Sequence, residues 1–387
     1  MAHPPTSNKS NPKKSDKPTR PPAGPEAGGP SQRPGPNAAE DGPSALEVMG
    51  SKLAAFVAEQ EGLTSAQVRV DSLSRLAGGS SRLLWSVDIE IVDASAPRRL
   101  QLVLRQDPPG RIAPGRMGLE FELLRAAAGA GVPVPRVHWC DPTSQHLGAP
   151  FFAMDRLSGE TIPRRLLRDA RYANAREGLC DQLGAALAGI HRLETDAPAL
   201  AGGLERPAQA GEAARSEIDR TAEGYRMLAV EPHPVLDLAE RWLRAHAPRS
   251  QVLKLVHGDF RLGNFMFDES GLVAVLDWEL AHLGDPVEDL AWLCVRAWRF
   301  GNDDRAAAGL ATREALVAAY EAAGGEPVDR DALRFWEVLG NFKLALVFIG
   351  QARAYLDGAH ATVELASLGR RIAEPEAELL ALIEEAR

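Results

Sequence analysis

Two stretches decide how this chain is read: Val256-His-Gly-Asp259-Phe-Arg261-Leu-Gly-Asn264-Phe-Met-Phe267 and, shortly after it, Val273-Ala-Val-Leu-Asp277-Trp-Glu279. Asp259, Asn264 and Asp277 are polar side chains set among residues that would bury, and a polar group kept in such company needs a partner or a task. A carboxylate can orient a hydroxyl and accept its proton. A neutral amide oxygen with a second carboxylate makes a hard oxygen pair suited to Mg²⁺, which takes few protein ligands when phosphates supply the rest. Phosphoryl transfer from ATP asks little more of a protein than these groups in the right places. The spacing from Asp259 to Asn264 suits a loop, and Asp277 ends an apolar strand, from which its side chain can reach a cleft.

Outward from this centre, residues 1–43 hold 11 of the 28 prolines and almost no large apolar residue. Such a segment cannot bury enough surface to offset its ordering entropy, and it reads as a disordered tail. Lys9, Lys13, Lys14, Lys17 and Arg20 make it locally basic, which a solvated tail explains. Order is expected from Ser44, where Ser44-Ala-Leu-Glu47 spells a capping box. Leu46, Met49, Leu53, Phe56 and Val57 then recur at helical spacing up to Gly62. Trp85, Val87, Ile89 and Ile91 alternate with polar residues, Asp93-Ala-Ser-Ala-Pro97 reads as a turn, and Leu100, Leu102 and Leu104 alternate again, which predicts an antiparallel hairpin with one buried face. A helix at about 117–129 and strands at about 134–140 and 150–157 follow. Beyond Gly159 helical patterns dominate, at about 174–194, 210–228, 234–246, 286–299, 311–323, 331–356 and 362–386, interrupted at 252–280 by two short strands around a polar loop. The expected fold is α+β in two lobes, 44–157 an antiparallel sheet with helices and 158–387 mainly helical, with a cleft between them.

The form H-G-D-x-x-x-x-N followed by L-D-W-E resembles the aminoglycoside phosphotransferase and choline kinase-like family, which shares the protein-kinase-like fold. Within it the chain is similar to the branch that includes the kinase-like domain fused to some acyl-CoA dehydrogenases. Leu104-Arg-Gln-Asp-Pro-Pro-Gly110, Gly131-Val-Pro-Val-Pro135 and Gly284-Asp-Pro-Val-Glu-Asp-Leu-Ala291 carry the same likeness. It spans about 45–385, with no dehydrogenase part expected. The resemblance implies that the first lobe, 44–157, binds nucleotide and that the second, 158–387, carries the catalytic loop and substrate site. It implies that Asp259 is the catalytic base and that Asn264 and Asp277 hold Mg²⁺. It implies that Leu76–Arg82, with Gly78, Gly79, Ser80 and Ser81, covers the phosphates of ATP. Arg105 stands where kinases keep a phosphate-binding lysine, Glu120 pairs with it, and Phe152 to Asp155, including Met154, form the hinge whose backbone meets the adenine. Arginine is planar and longer than lysine, so Arg105 holds phosphates differently or marks weakened catalysis.

Other residues read as structural. His257 is expected to bond the loop backbone, and His191 to be a satisfied core histidine. Asp285 reads as a helix cap ahead of Pro286, with Glu288 the capping glutamate, and Asp289 as a brace for the loop. Glu279 can face the same side as Asp277. Trp278 and Trp292 read as core. Glu205, Glu212, Glu217 and Asp219 look like solvated helix faces, too scattered to demand a polycationic acceptor.

Composition narrows the field. Apolar residues make up 45% and charged residues 25%, the proportions of a globular protein with a real core. Net charge is −9, which gives no field for nucleic acid or an anionic membrane, so no stable partner of either kind is expected. Cys140, Cys180 and Cys294 are far apart, which argues against a zinc or disulfide framework and fits the reducing cytoplasm. No apolar run reaches membrane length, and no secretory leader is expected. The sequence is silent on oligomeric state. The expected function is ATP- and Mg²⁺-dependent phosphorylation of a small-molecule hydroxyl, on an aminoglycoside-like or a hydroxyacyl compound. A nucleotide-binding pseudokinase is the alternative, and an adaptor acting through the basic tail a further rival. Deleting residues 1–43 separates the last from the rest. Catalysis by residues 44–387 is expected to equal that of the full chain, whereas an adaptor would lose its salt-sensitive binding.

Overall fold

The structure, a computed structural model, describes residues 44–76, 82–92, 97–108, 116–359 and 362–386. Helix α1 (Ala45–Glu61) begins where the capping box predicts, and Gly62 follows with a φ of +68°, a left-handed value that glycine adopts without steric cost. Leu53, Phe56 and Val57 are buried, while Leu46 is 45% exposed, so the apolar stripe is narrower than the spacing suggests.

Strands β1 (Val68–Arg75), β2 (Leu83–Ile91), β3 (Arg98–Gln106), β4 (Val137–Asp141) and β5 (Phe151–Asp155) form one antiparallel sheet in the order β1-β2-β3-β5-β4. The expected hairpin is β2–β3. Trp85 faces Leu104, Val87 faces Leu102 and Ile89 faces Leu100, so the alternating residues meet as cross-strand partners. Its turn, 93–96, lies outside the described residues. The sequence implies β1 only as the strand before the Gly-Ser run; its alternation, Val68 and Val70, is broken by a register shift between Val70 and Ser72 ahead of Leu73. Val87, Ile89, Leu102, Leu104, Phe151 and Ala153 pack with α1 into one core. Strand alternation turns Val103, Arg105, Phe152 and Met154 to the opposite face, where Phe152 and Met154 join a second core. Helix α2 (Met117–Gly129) lies against that face and carries Glu120.

The hinge expectation needs correction. Phe152 to Asp155 lie inside β5, paired with β3 on one side and β4 on the other, and even Arg156 donates its N–H to Gln101 O at 2.8 Å. The chain leaves the sheet only at Leu157. The backbone at Met154 is therefore committed to the sheet, and its side chain is what faces away from the α1 core.

The second core gathers helices α3 (Pro163–Arg168), α4 (Ala173–His191), α5 (Pro198–Ala201), α6 (Ala213–Leu228) and α7 (Pro234–His246). Four short strands follow where two were expected: β6 (Lys254–Val256), β7 (Phe265–Asp268), β8 (Gly271–Val275) and β9 (His282–Gly284), paired β6–β9 and β7–β8. Then come α8 (Val287–Cys294), α9 (Arg313–Ala322), α10 (Arg330–Leu356), α11 (Val363–Leu368) and α12 (Ala373–Glu385). The expected last helix is thus broken into two, with a 3₁₀ turn at Gly369–Ile372 between them. This is the two-lobed α+β arrangement. Among the described residues no helix is long and apolar enough to cross a membrane.

Helices α4 and α9 approach closely at Gly184, where a Cβ would lie 2.8 Å from the Ala319 carbonyl carbon and the Tyr320 nitrogen. Backbone cannot yield as a side-chain tip can. Gly184→Ala is expected to cost about 1–3 kcal/mol, more than alanine's helix propensity returns, seen as a lowered midpoint in denaturant unfolding.

Candidate active site

Strand β6 delivers the chain to His257, and α8 holds the loop that follows. The fully buried Asp289 accepts the His257 N–H at 2.7 Å and the Gly258 N–H at 2.9 Å. His191 Nε2 lies 3.2 Å from the same carboxylate, and its Nδ1 lies 2.9 Å from the Tyr320 hydroxyl. Gly258 has a φ of +80°, and a Cβ there would stand 2.6 Å from Leu280 O, so the turn admits only glycine. The His257 ring bonds backbone at both nitrogens: Nε2 to Leu276 O at 3.1 Å, while Nδ1 accepts the Asp259 N–H at 3.2 Å. That pattern requires the neutral ring protonated on Nε2, and burial pushes its pKa down in the same sense. His257, His191 and Asp289 are therefore structural braces of the loop.

The loop presents Asp259 with its side chain largely enclosed. Oδ1 accepts from Arg261 Nε and from Trp292 Nε1, each at 2.9 Å, and Oδ2 accepts from Asn264 Nδ2 at 2.5 Å. The Asn264 backbone oxygen receives the Leu276 N–H at 2.8 Å, which ties the loop to the segment entering Asp277. Asp277 is left-handed, with φ +66° and ψ +66°, a conformation that aspartate tolerates better than most residues. Its Oδ1 meets Arg105 Nη2 at 2.6 Å. Arg105 Nε lies 3.0 Å from Glu120 Oε1, so the expected pair is present. Burial disfavours the Arg105 charge, but Glu120 and Asp277 outweigh it and raise its pKa. Glu279 joins the group, with Oε2 3.6 Å from Arg105 Nη2 and 3.8 Å from Arg82 Nε.

Several contacts were not foreseen, the first made by Arg82 at the end of the expected phosphate loop. Arg82 takes the other oxygen of Glu120 and lies 3.2 Å from Asp107 Oδ1, so two arginines share one buried glutamate. Arg82 follows directly on the Gly-Ser run, which is the one signal of these contacts in the sequence. Gly78, Gly79, Ser80 and Ser81 lie outside the described residues. Trp278 is core as expected, and Trp292 is half-buried and packs against the same core, but its indole N–H also bonds Asp259, which the sequence did not show. Asp285 caps α8 through Val287 N–H at 3.0 Å. Glu288 does not act as the capping glutamate; its carboxylate faces Lys343 at 2.6 Å and His282 at 3.3 Å.

Glu217 is also corrected. It is buried, and Lys343 Nζ stands 2.6 Å from it as well as from Glu288. Glu217, His282 and Glu288 could gather ligand atoms around a metal, but the lysine already compensates their charge. For Mg²⁺ the other set is the better match. Asn264 donates its Nδ2 to Asp259, which turns its Oδ1 away from that carboxylate, and with Asp277 it offers hard oxygens of the kind Mg²⁺ takes.

These features are those of a kinase-like phosphotransferase, and the comparisons agree. The model of the phosphotransferase enzyme family matches residues 74–336, and the chain belongs to that family. It is 30% identical over 292 residues to acyl-CoA dehydrogenase family member 10 of Mus musculus, over 72% of this chain and 27% of that protein. The chain thus spans about a quarter of that relative's length. A provisionally assigned aminoglycoside phosphotransferase of Ralstonia eutropha JMP134 superposes with a TM-score of 0.69 at 24% identity, covering 86% of this chain and 98% of that one. A thermostable mutant of aminoglycoside phosphotransferase APH(4)-Ia, in ternary complex with AMP-PNP and hygromycin B, superposes with a TM-score of 0.52 at 17% identity, covering 86% and 98%. The resemblance and the two-lobed kinase-like fold are as expected, and the chain is a member of the phosphotransferase enzyme family.

The buried carboxylates around the half-buried Lys343 make a prediction. Lys343 and His282 hold the Glu288 pKa below its ordinary value against the opposing effect of burial. A depressed carboxylate stabilises the fold above its unfolded value of 4.5 and loses that contribution as pH falls. Lys343→Met leaves burial unopposed by the lysine and is expected to cost on the order of 3 kcal/mol at neutral pH. The gap from the parent should narrow towards pH 4–5, where the stranded carboxylates protonate, as read by denaturant titration at several pH values.

Proposed function

We propose that the chain transfers the γ-phosphoryl group of ATP, with Mg²⁺, to a hydroxyl of a small molecule. The observation that carries this is the meeting of Asp259, Asn264, Asp277 and Arg105. Asp259 contacts Asn264, Arg105 contacts Asp277, and Leu276 links the two pairs. Asp259 orients the acceptor hydroxyl. As the hydroxyl oxygen bonds to the γ-phosphorus, the bond from that phosphorus to the β,γ-bridging oxygen breaks, ADP leaves, and the hydroxyl proton passes to Asp259. Asn264 and Asp277 are the residues that would hold Mg²⁺, whose charge balances the phosphates. Arg105 turns from Asp277 to the phosphates when nucleotide enters, with Glu120 keeping its guanidinium in place. Gly78, Gly79, Ser80 and Ser81 are the residues that would meet the phosphates, and the Met154 side chain would line the adenine slot. The lobes divide at about 157, and the helical lobe carries the acceptor site.

For the acceptor, the charge pattern supports a hydroxyacyl compound over a polycationic aminoglycoside. The buried carboxylates of α6 and α8, Glu217 and Glu288, are already matched by Lys343, and the side chain beside Asp259 is the cation Arg261. The kinase-like branch shared with the acyl-CoA dehydrogenase relatives supports the same class. The Arg105–Asp277 ion pair is the feature that favours the second reading, a nucleotide-binding protein without transfer.

The deciding experiment measures Mg²⁺-dependent ATP consumption with hydroxyacyl thioesters, aminoglycosides and amino alcohols, beside Asp259→Ala. Turnover with the hydroxyacyl class, lowered about a thousandfold in the variant, is expected. Mg²⁺-dependent ATP binding without turnover on any acceptor would favour the second reading, and no ATP binding would overturn both.

A further inference from the structure

We propose that Trp292 is a positioning residue for Asp259, holding its carboxylate so that Oδ2, and not Oδ1, receives the proton of the acceptor hydroxyl. The inference rests on the reading of Asp259 as the proton acceptor. A carboxylate oxygen carries two lone pairs. Both of those on Oδ1 are taken, by Trp292 Nε1 and by Arg261 Nε, each at 2.9 Å. Among the described residues Oδ2 takes one bond, from Asn264 Nδ2 at 2.5 Å, and keeps a lone pair. A hydroxyl approaching Asp259 therefore has one oxygen to bond.

The aspartate χ2 torsion is broad and roughly two-fold, so a carboxylate turns easily unless rigid donors stop it. Arg261 is a long, rotamer-rich side chain, and it is itself placed by stacking, with its guanidinium carbon 4.6 Å from the Trp298 ring centroid. Trp298 in turn lies tilted against Trp292, centroids 5.6 Å apart. The rigid donor is the indole. It stands on α8, the helix whose Asp289 already holds the loop backbone at His257 and Gly258. Helix α10 leaves space for it at Gly340, where a Cβ would come within 3.4 Å of Trp292 Cε3 and 2.9 Å of Val295 Cγ2. One short helix thus sets both the course of the loop and the plane of the carboxylate.

The test uses the full chain, its Trp292→Phe, Trp292→His and Asp259→Ala variants, and ATP hydrolysis with Mg²⁺, water serving as the acceptor. Trp292→Phe keeps the ring and removes the N–H. It is expected to lower kcat about tenfold, the effect of losing one hydrogen bond to a charged group, with KM for ATP and thermal midpoint unchanged. Trp292→His, whose ring can donate, should recover part of the rate. A crystal structure of Trp292→Phe should show the Asp259 carboxylate turned from its present plane. Full kcat in Trp292→Phe, equal losses in Phe and His, KM rising together with the loss of kcat, or an unturned carboxylate would each overturn the proposal. Asp259→Ala hydrolysing ATP like the parent would instead overturn the reading of Asp259.

Discussion

The buried carboxylate of Asp289 is the constraint on which the rest of the site depends. Taking a carboxylate out of water is costly unless its oxygens are met by donors. Here the donors are two consecutive backbone N–H groups of the loop and the imidazole of His191. The cost of burying Asp289 is thus offset only when β6, α4 and α8 stand in their observed places. The left-handed Gly258, the neutral His257 and the direction in which Asp259 leaves the loop all follow from that junction.

The second organising feature is ionic and spans the lobes. Arg82 and Arg105, both on the sheet side, face Glu120, Asp107, Asp277 and Glu279. Arginine suits such a junction because its planar fork bonds several oxygens at once, where lysine offers one ammonium. Arg105 uses this: one nitrogen meets Glu120 and another meets Asp277. The substitution for lysine that looks like a defect in the sequence is, in the fold, a contact between the lobes.

Much of the fold was legible because periodicity is a local property. The β2–β3 hairpin, α2, α7 and α10 stand within a residue or two of where alternation or helical spacing put them. The failures have physical causes. The limits of β1 were not drawn because a register shift between Val70 and Ser72 breaks the alternation of Val68, Val70 and Leu73. β9 is three residues long and exists because β6 lies beside it. The hinge was placed too early because the sequence does not say that β5 has strand partners on both sides.

By itself the sequence determined the identity and order of the chemical groups: Asp259, Asn264 and Asp277 at kinase-like spacing, the arginine at 105 and the glutamate at 120. Those are set by position along the chain, which is what a motif records. Only the tertiary structure decided which groups touch. Glu217 looked like a solvated helix residue and is buried against Lys343; Trp292 looked like core and donates to Asp259; Arg82 proved to share Glu120. Burial and hydrogen bonding across many residues depend on how helices and sheet pack, and no local pattern encodes a partner 126 positions away, as Lys343 is from Glu217 (343 − 217).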